Sequence, residues 1–455
     1  MDEFRQSAKA AVDRLRAAGF QAYWAGGCVR DLVMGCEPHD YDVATDATPE
    51  QVVKLFPGSL TVGAQFGVVL VPGAPKHVEV ATFRSDGIYV DGRHPDEVRF
   101  TRRPEDDVQR RDFTVNGLMY DPVQERVLDF VGGRADIRAR RLRTIGDPEA
   151  RFGEDRLRML RAIRFAARLD FAIDPATFAT IRLLAPAIHD VSQERIRDEV
   201  IKILTEGRAR RGFELMDSAG LLKEVLPEVK MLQGVQQPPE FHPEGDVWTH
   251  TLMMLEALGH VSMTFGRSAT PTLALGVLLH DIGKPATFAV RERIRFDGHV
   301  EVGVKIAEVI CRRLKLSSHE TERTLELVAQ HMRFKDFLKM KRSTQLRFLA
   351  LDGFDEHLEL HRLDCLASHR DLTIYEAARR MLLETPAEVV RPAPLVTGHD
   401  LIAMGLKPGP RFKEILDAVR DAQLEGQIAT HDEGLRLVRE SLPSAQAASE
   451  STSNG

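Results

Sequence analysis

The chain has 455 residues, 43% of them hydrophobic and 29% charged, and a formal net charge of −6. That length allows two or three domains, each with its own core, and the composition is that of a soluble globular protein rather than a disordered or fibrous one. No run of about 18 apolar residues offers a membrane span, and four scattered cysteines (Cys28, Cys36, Cys311, Cys365) indicate neither a disulfide framework nor a zinc knuckle, which suits a reducing cytoplasm.

In chain order, an amphipathic helix is expected to about Ala18, without the apolar core of a secretory signal. Residues 21–25 read as a short strand and 29–34 as a helix, which places Gly26-Gly27 at a strand-to-helix turn with backbone N–H groups free for an incoming triphosphate. Asp40 and Asp42 follow, in a segment (40–45) read as extended. Side chains at i and i+2 then share a face, so the two carboxylates converge where bound cations make close negative charges tolerable. Further strands are expected at 60–63, 67–71 and 78–83. Glu79 on the last of these is a candidate third carboxylate, and Arg84 closes the strand within reach of a phosphate.

Six blocks in order, GGCVRDLVMG, HDYDVATDATPEQV, VEVATFR, RRDFTVNGLMYDP, LDFVGGRADI and GEDRLRMLRAIRFAARL, cover about residues 20–205. Together they resemble the nucleotidyltransferase superfamily of DNA polymerase beta, and more closely its tRNA nucleotidyltransferase and bacterial poly(A) polymerase branch. The resemblance implies Mg2+ on Asp40 and Asp42, with Gly26, Gly27 and Arg30 in the nucleotide site. It also implies Arg111 on phosphate and Asp112 and Asn116 near the sugar, four apart on a helix that begins at Arg110. Gly117 stands where the family often has alanine, a change expected to loosen that helix slightly. Asp129 with Gly132-Gly133 resembles the block joining head to neck, where the glycines suit a hinge.

Residues 154–169 read as one helix, with Leu157, Leu160, Ile163 and Ala167 as its apolar stripe and Glu154, Arg158 and Arg161 on a more polar side. Within it, Glu154-Asp155-Arg156-Leu157-Arg158 resembles the EDxxR motif whose aspartate and last arginine read the incoming base. Cytosine and adenine both present an exocyclic amine beside a ring acceptor. Asp155 can accept from the amine and Arg158 donate to the ring nitrogen, whereas uracil and guanine would leave polar groups unpaired. Eleven arginines against five acids between Arg134 and Arg168 leave a local +6, read as a phosphate-tracking surface that the whole-chain charge hides. The poly(A) polymerases of this branch usually carry a basic pair before a phenylalanine; here the matching Gly63-Ala64-Gln65-Phe66 has none, which resembles the tRNA enzymes. The loop from Ser85 to about Arg103, with Asp91 and Pro95, is one that CC-only enzymes largely lack and A-only enzymes keep.

From about Pro148 the chain reads as nearly all helix, including 175–185, 193–204 and 209–218 and on to about 440. His250, His280-Asp281 at a helix end marked by Gly283 and Pro285, and Asp364, with His299 and His331 as further candidates, resemble the HD phosphohydrolase superfamily. That resemblance implies a divalent transition metal such as Ni2+, Mn2+ or Co2+, and hydrolysis of a phosphoester such as a 2′,3′-cyclic phosphate or 2′-phosphate at a damaged tRNA end. The expected fold is α+β: a small mixed-sheet head (1–145), a helical neck that meets the base and the RNA (146–227), an HD domain (228–370), C-terminal helices (371–441) and a disordered tail (442–455). The expected function is addition of CCA to tRNA from CTP and ATP in the cytoplasm, without DNA or membrane partners. Addition of adenosine alone, to tRNA or as a poly(A) tail, and a phosphohydrolase that uses the head as an RNA clamp stand as alternatives.

Overall fold

The computed structural model describes residues 3–61, 67–86, 98–260 and 269–441. Residues 62–66, most of the 85–103 loop and the tail from 442 lie outside these, and with them the expectations drawn from Gly63-Ala64-Gln65-Phe66, Asp91 and Pro95.

The head is built on a six-stranded mixed sheet in the order β3-β4-β2-β1-β7-β8. Its strands are β1 (Ala22–Ala25), β2 (Asp42–Thr45), β3 (Val68–Val71), β4 (Val78–Thr82), β7 (Leu118–Asp121) and β8 (Arg126–Asp129); β5 (Arg84–Asp86) and β6 (Val98–Phe100) form a separate ribbon. Within this sheet β2 and β4 run parallel, pairing Val43 with Val80 and Thr45 with Thr82, and the other pairs are antiparallel. Strict alternation in β3 and β4 sends Val69, Val71, Val78 and Val80 inward against Phe4, Val12 and Leu15 of α1 (Glu3–Ala17), all of them buried. The opposite face carries Asp42 and Glu79. Extending the β2–β4 register by one residue sets these two side by side.

Two local expectations are corrected. The segment from Arg110 does not begin a helix: α4 (Pro104–Gln109) has already ended, Phe113 bridges Thr144, and only Thr114–Asn116 form a 3₁₀ turn. Phe113 is fully buried, and the Thr114 N–H donates to the Arg143 carbonyl, so tertiary pairing overrides the local pattern. Gly117 consequently caps that turn rather than loosening a helix. A Cβ there would lie 2.8 Å from Val131 and 2.9 Å from Ile145. Nor is 154–169 one helix. It divides into α6 (Pro148–Glu154) and α7 (Arg158–Leu169) at Asp155, whose φ of −152° is extended. Asp155 leaves the helix because its carboxylate accepts from the Leu157 N–H and from Arg195.

The helical body follows as α8 (Pro175–Leu184), α9 (Gln193–Thr205) and α10 (Ala209–Ser218). Asp147 and Asp174 cap α6 and α8 just before Pro148 and Pro175, as N-terminal signals require. One continuous core runs from Phe4 through α7, α9 and α10 to Ala367, and separate clusters around Phe348 and Val419 hold the C-terminal helices. Among the described residues no helix is long and apolar enough to cross a membrane.

The turn that follows β8 is closely packed. Asp129 accepts from the N–H groups of Val131, Gly132, Gly133 and Arg134 at 2.8–3.2 Å, and Gly132 has a φ of +80°. A Cβ on Gly133 would sit 2.2 Å from the Thr114 carbonyl oxygen. Gly133→Ala is therefore expected to destabilise the head by about 3 kcal/mol, read as an earlier urea transition; an unchanged midpoint would contradict this packing.

Candidate active site and metal centre

At the end of β1, Gly26 (φ +77°) turns the chain into α2 (Gly27–Val33), and a Cβ on Gly26 would lie 3.1 Å from an Arg111 nitrogen. Both residues line a cavity of about 620 Å³, together with Gly27, Arg30, Asp42, Glu79, Arg84, Asp112, Asn116, Asp155, Arg158 and Arg161. Asp40 is the sequence candidate that stays outside. It precedes β2, is exposed, and pairs with Lys76 at 3.2 Å. Its charge still reaches the cluster. Burial first, then Glu79 and Asp40, push the Asp42 carboxyl up to about 7, and burial with Asp40 also raises Glu79. Carboxylates that raise one another in this way are a hard-cation donor set, so the residues present fit a magnesium ion. The neighbouring Cys28 thiol, buried and facing Asp42, is pushed up to about 12 and takes no part as a nucleophile.

Buried ion pairs fix the phosphate and sugar side. Asp107 holds Arg111 at 3.0 Å and Arg110 at 2.9 Å. Asp112 accepts from the Phe113 N–H and Asn116 on one oxygen and twice from Arg161 on the other. Burial alone would raise its pKa, yet Arg161 keeps it low. All of its roughly four lone-pair sites are thereby used, so Asp112 aims Asn116 and Arg161 rather than offering itself to a 2′-hydroxyl. Arg30 donates to the side-chain amide oxygen of Asn116 at 2.8 Å, and the amide nitrogen, with one N–H given to Asp112, has a second to offer.

Asp155 and Arg158, on the same cavity lining, are each held by other groups. Arg195 on α9 grips Asp155 at 2.7 Å, and Arg158 donates to Glu154 and to the carbonyls of Arg151 and Arg110. Sequence reasoning missed Arg195; its only signal was an arginine at the start of the neck helix that follows the EDxxR block. The arginine-rich stretch also proves less free than its +6 suggests. Arg140, Arg141, Arg143, Arg151, Arg158, Arg161, Arg164 and Arg168 all pair with protein carboxylates, several of them (Asp112, Asp170, Glu199, Glu206) outside the stretch.

A second cluster lies between the helices Val247–Leu258, Pro271–Leu279, His299–Arg313 and Phe354–Ala367. Gly283 lets the His280-Asp281 turn meet the start of the third helix, since a Cβ there would be 2.1 Å from the His299 carbonyl oxygen. The Nδ1 atoms of His280, His299 and His331 each donate to the carbonyl three residues earlier at 2.7–2.9 Å. Carbonyls only accept, so each Nε2 keeps its lone pair. His250 turns Nδ1 to Glu244 at 2.7 Å and Nε2 to within 3.2 Å of Asp364. The Nε2 atoms of all four histidines are buried with no aligned hydrogen-bond partner among the described residues. Such orphaned nitrogens beside carboxylates fit a transition metal. Burial depresses His250, but Asp364 and Glu244 outweigh it and raise the ring to about 9, so metal binding there would release a proton. Glu244 and Lys284, the latter 2.7 Å from Asp281, belong to this centre and were not foreseen. The adjoining cavity measures about 490 Å³ and includes Asp281, His299, His331 and Asp364.

Three family models match the chain: the poly A polymerase head domain over residues 22–143, the probable RNA and SrmB-binding site of polymerase A over 170–232, and the HD domain over 247–353. The CCA-adding enzyme of Streptococcus suis (strain 05ZYH33) is 41% identical over 211 residues, 46% of this chain and 52% of that protein. The chain thus spans about half the length of the curated relatives it matches at this level. The CCA-adding enzyme of Streptococcus mutans is 28% identical over 433 residues, 94% of this chain and 95% of that protein. The crystal structure of the Bacillus stearothermophilus CCA-adding enzyme in complex with CTP superposes with a TM-score of 0.72 at 27% identity, covering 97% of this chain and 98% of that one.

Because Asp42 holds a proton in the folded chain that the unfolded chain has released, its penalty to stability grows from about pH 4 and is complete above about pH 7. Asp42→Asn is therefore expected to raise the melting temperature of the magnesium-free protein more at about pH 8 than at about pH 5, and to abolish stabilisation by added magnesium. An equal gain at both values would contradict the raised pKa.

Proposed function

We propose that this chain, whose segments match the poly A polymerase head domain, its RNA-binding segment and the HD domain, is a member of the tRNA nucleotidyltransferase and poly(A) polymerase family that adds CCA to tRNA 3′ ends from CTP and ATP without a nucleic-acid template. One observation carries this reading: a single cleft is lined both by the Asp42 and Glu79 carboxylates and by Asp155 and Arg158.

In this reading residues 1–145 are the catalytic head and 146–227 the neck that reads the base. Asp42, Asp40 and Glu79 would hold Mg2+, which when bound supplies Lewis-acid stabilisation for the attacking 3′-hydroxyl and the departing pyrophosphate. The chain's own groups do the positioning. Gly26 and Gly27 let the triphosphate approach the backbone, Arg111 and Arg84 meet its charge, and the spare amide N–H of Asn116 faces the ribose. Asp155 retains acceptor capacity beside Arg195 for an exocyclic amine. Arg158, tied by three acceptors, keeps N–H groups for the ring nitrogen. Uracil and guanine would set carbonyl against carboxylate, at a cost the cleft does not relieve. CTP and ATP thus share one reader.

The second centre (within 228–370) would be a phosphohydrolase acting on a 2′,3′-cyclic phosphate or 2′-phosphate at an RNA end. Its imidazole and carboxylate donors suit Ni2+, Mn2+ or Co2+. The partners of this reading are tRNA, CTP and ATP, in the cytoplasm.

Incubation with magnesium, labelled CTP or ATP, and tRNAs ending before CCA, after C and after CC tests the main claim. CMP and then AMP should enter; AMP on the CC end alone would make the protein an A-adding enzyme, and phosphate release without incorporation would make it mainly a hydrolase. Asp42→Ala is expected to lower incorporation by at least about 10³-fold and to spare hydrolysis, with Asp281→Ala doing the reverse; loss of both activities in either folded variant would refute two independent sites. Arg195→Ala should weaken use of CTP and ATP by roughly 10–100-fold, as expected when a charged hydrogen bond that orders Asp155 is lost. Unchanged kinetics would remove Arg195 from the reader.

A further inference from the structure

We propose that the cavity beside the histidine–aspartate centre selects a nucleotide carrying two phosphate groups. One is presented at that centre for hydrolysis, and the second, on the 5′ side of the same ribose, is held by Arg293, Arg295 and Lys335. This rests on the phosphohydrolase reading of the centre and specifies what it accepts. All three cations line the cavity of about 490 Å³ that also reaches Asp281, His299, His331 and Asp364. Arg293 and Arg295 come from the hairpin of Ala289–Val290 and Ile294–Arg295, whose register sets Arg295 opposite Ala289. Lys335 comes from the 3₁₀ segment His331–Lys339.

These cations differ from the others of the chain in having no acid to answer. The arginines of α7 are committed to carboxylates of the protein. Inside this cavity Lys284 is likewise taken by Asp281 at 2.7 Å, and Asp364 lies 3.2 Å from His250. Among the described residues no carboxylate comes within ion-pair distance of Arg293, Arg295 or Lys335, not even Asp297, the remaining acid of the lining. The Nε of Arg295 is moreover buried without a hydrogen-bond partner. A guanidinium N–H shut away from water costs free energy until an acceptor reaches it, and its planar fork suits phosphate oxygens.

The charge balance argues for a second phosphate rather than a tighter hold on the first. Asp281 and Asp364 already have cationic partners at the centre, so the three further cations await an anion that the protein does not supply. A cavity of about 490 Å³ is of the size that takes one small ligand, so both phosphates belong to a single nucleotide. Phe241, 53% exposed on the same lining, offers a face on which its base can stack. Only the first phosphate reacts. Water adds to its phosphorus and the P–O2′ bond breaks; the ribose oxygen keeps the electron pair and takes a proton. Inorganic phosphate departs, and the 5′ phosphate stays on the nucleotide.

The test compares three substrates on the full chain loaded with Mn2+, with released inorganic phosphate as the signal. They are adenosine 2′-monophosphate, adenosine 2′,5′-bisphosphate, and a dinucleotide ending in the same 2′-phosphate, whose 5′-side phosphate is a diester. The bisphosphate or the dinucleotide should exceed the monophosphate in kcat/KM by at least about 10-fold, as one charge-assisted hydrogen bond provides. Whichever is faster identifies a free nucleotide or a chain end as the source of the second phosphate. Arg295→Ala and Lys335→Ala should each lower that ratio by about 10-fold, and Arg295→Lys should retain part of it. Equal kcat/KM for all three substrates, or a ratio untouched by both alanine variants, would overturn the second phosphate and leave the phosphohydrolase reading intact. Calorimetric titration of the chelator-treated chain reads binding without turnover, and Arg295→Ala should weaken the bisphosphate by about 10-fold. Phosphate release from none of the substrates would remove the phosphohydrolase reading, and an unchanged bisphosphate affinity in Arg295→Ala would then overturn this inference too. Should Arg295→Ala fail to fold, Lys335→Ala, at an exposed position, decides the question.

Discussion

The ion pair between Asp112 and Arg161, 2.6 Å long and largely withdrawn from solvent, is the contact on which the nucleotide site depends. Asp112 belongs to the head and Arg161 to α7, so this bond ties the two together within the cavity that Asp42, Glu79, Asp155 and Arg158 also line. It is continued on the neck side, where Glu199 takes Arg164 at 2.7 Å and Glu206 adds a further contact at 3.1 Å. Buried charges of this kind contribute little net stability over an apolar substitute, yet removing one partner strands the other. Their value here is geometric, since they hold a polar cleft open where an apolar interface would close it.

The same economy explains the arginines of the neck. A local excess of +6 suggests a basic strip for RNA, but most of these side chains are committed to carboxylates of the protein itself. What faces the cleft is a small set of guanidinium groups whose directions are fixed by those carboxylates. Orientation then outweighs total charge. A planar donor pinned by three acceptors, as Arg158 is, presents its N–H groups in a fixed direction, whereas a mobile cation would attract any anion equally.

The second centre applies the principle to histidines. Turning each Nδ1 to a backbone carbonyl or to Glu244 leaves the Nε2 atoms aimed inward, and glycine at position 283 allows the turn carrying His280 and Asp281 to touch the helix that begins at His299. It shares one continuous core with the head and neck.

Much of this was legible in one dimension. Alternating valines marked β3 and β4, and the motifs around Asp42, Asp112, Asp155 and His280-Asp281 carried the family resemblance and pointed to several of the residues that line the two cavities. These signals are local: periodicity, capping and short motifs depend on neighbours in sequence. What only the tertiary structure decided involves partners far along the chain. Phe113 is extended because it pairs with Thr144, and the helix breaks at Asp155 because Arg195, forty residues later, holds its carboxylate. Glu79 stands beside Asp42 through a parallel register, and Lys76 draws Asp40 to the rim. Local propensities amount to a few tenths of a kcal/mol per residue, about 0.7 at most for ordinary residues, whereas a buried aromatic or a desolvated carboxylate left without its distant partner costs several times more; where the two disagreed, the long-range contact prevailed.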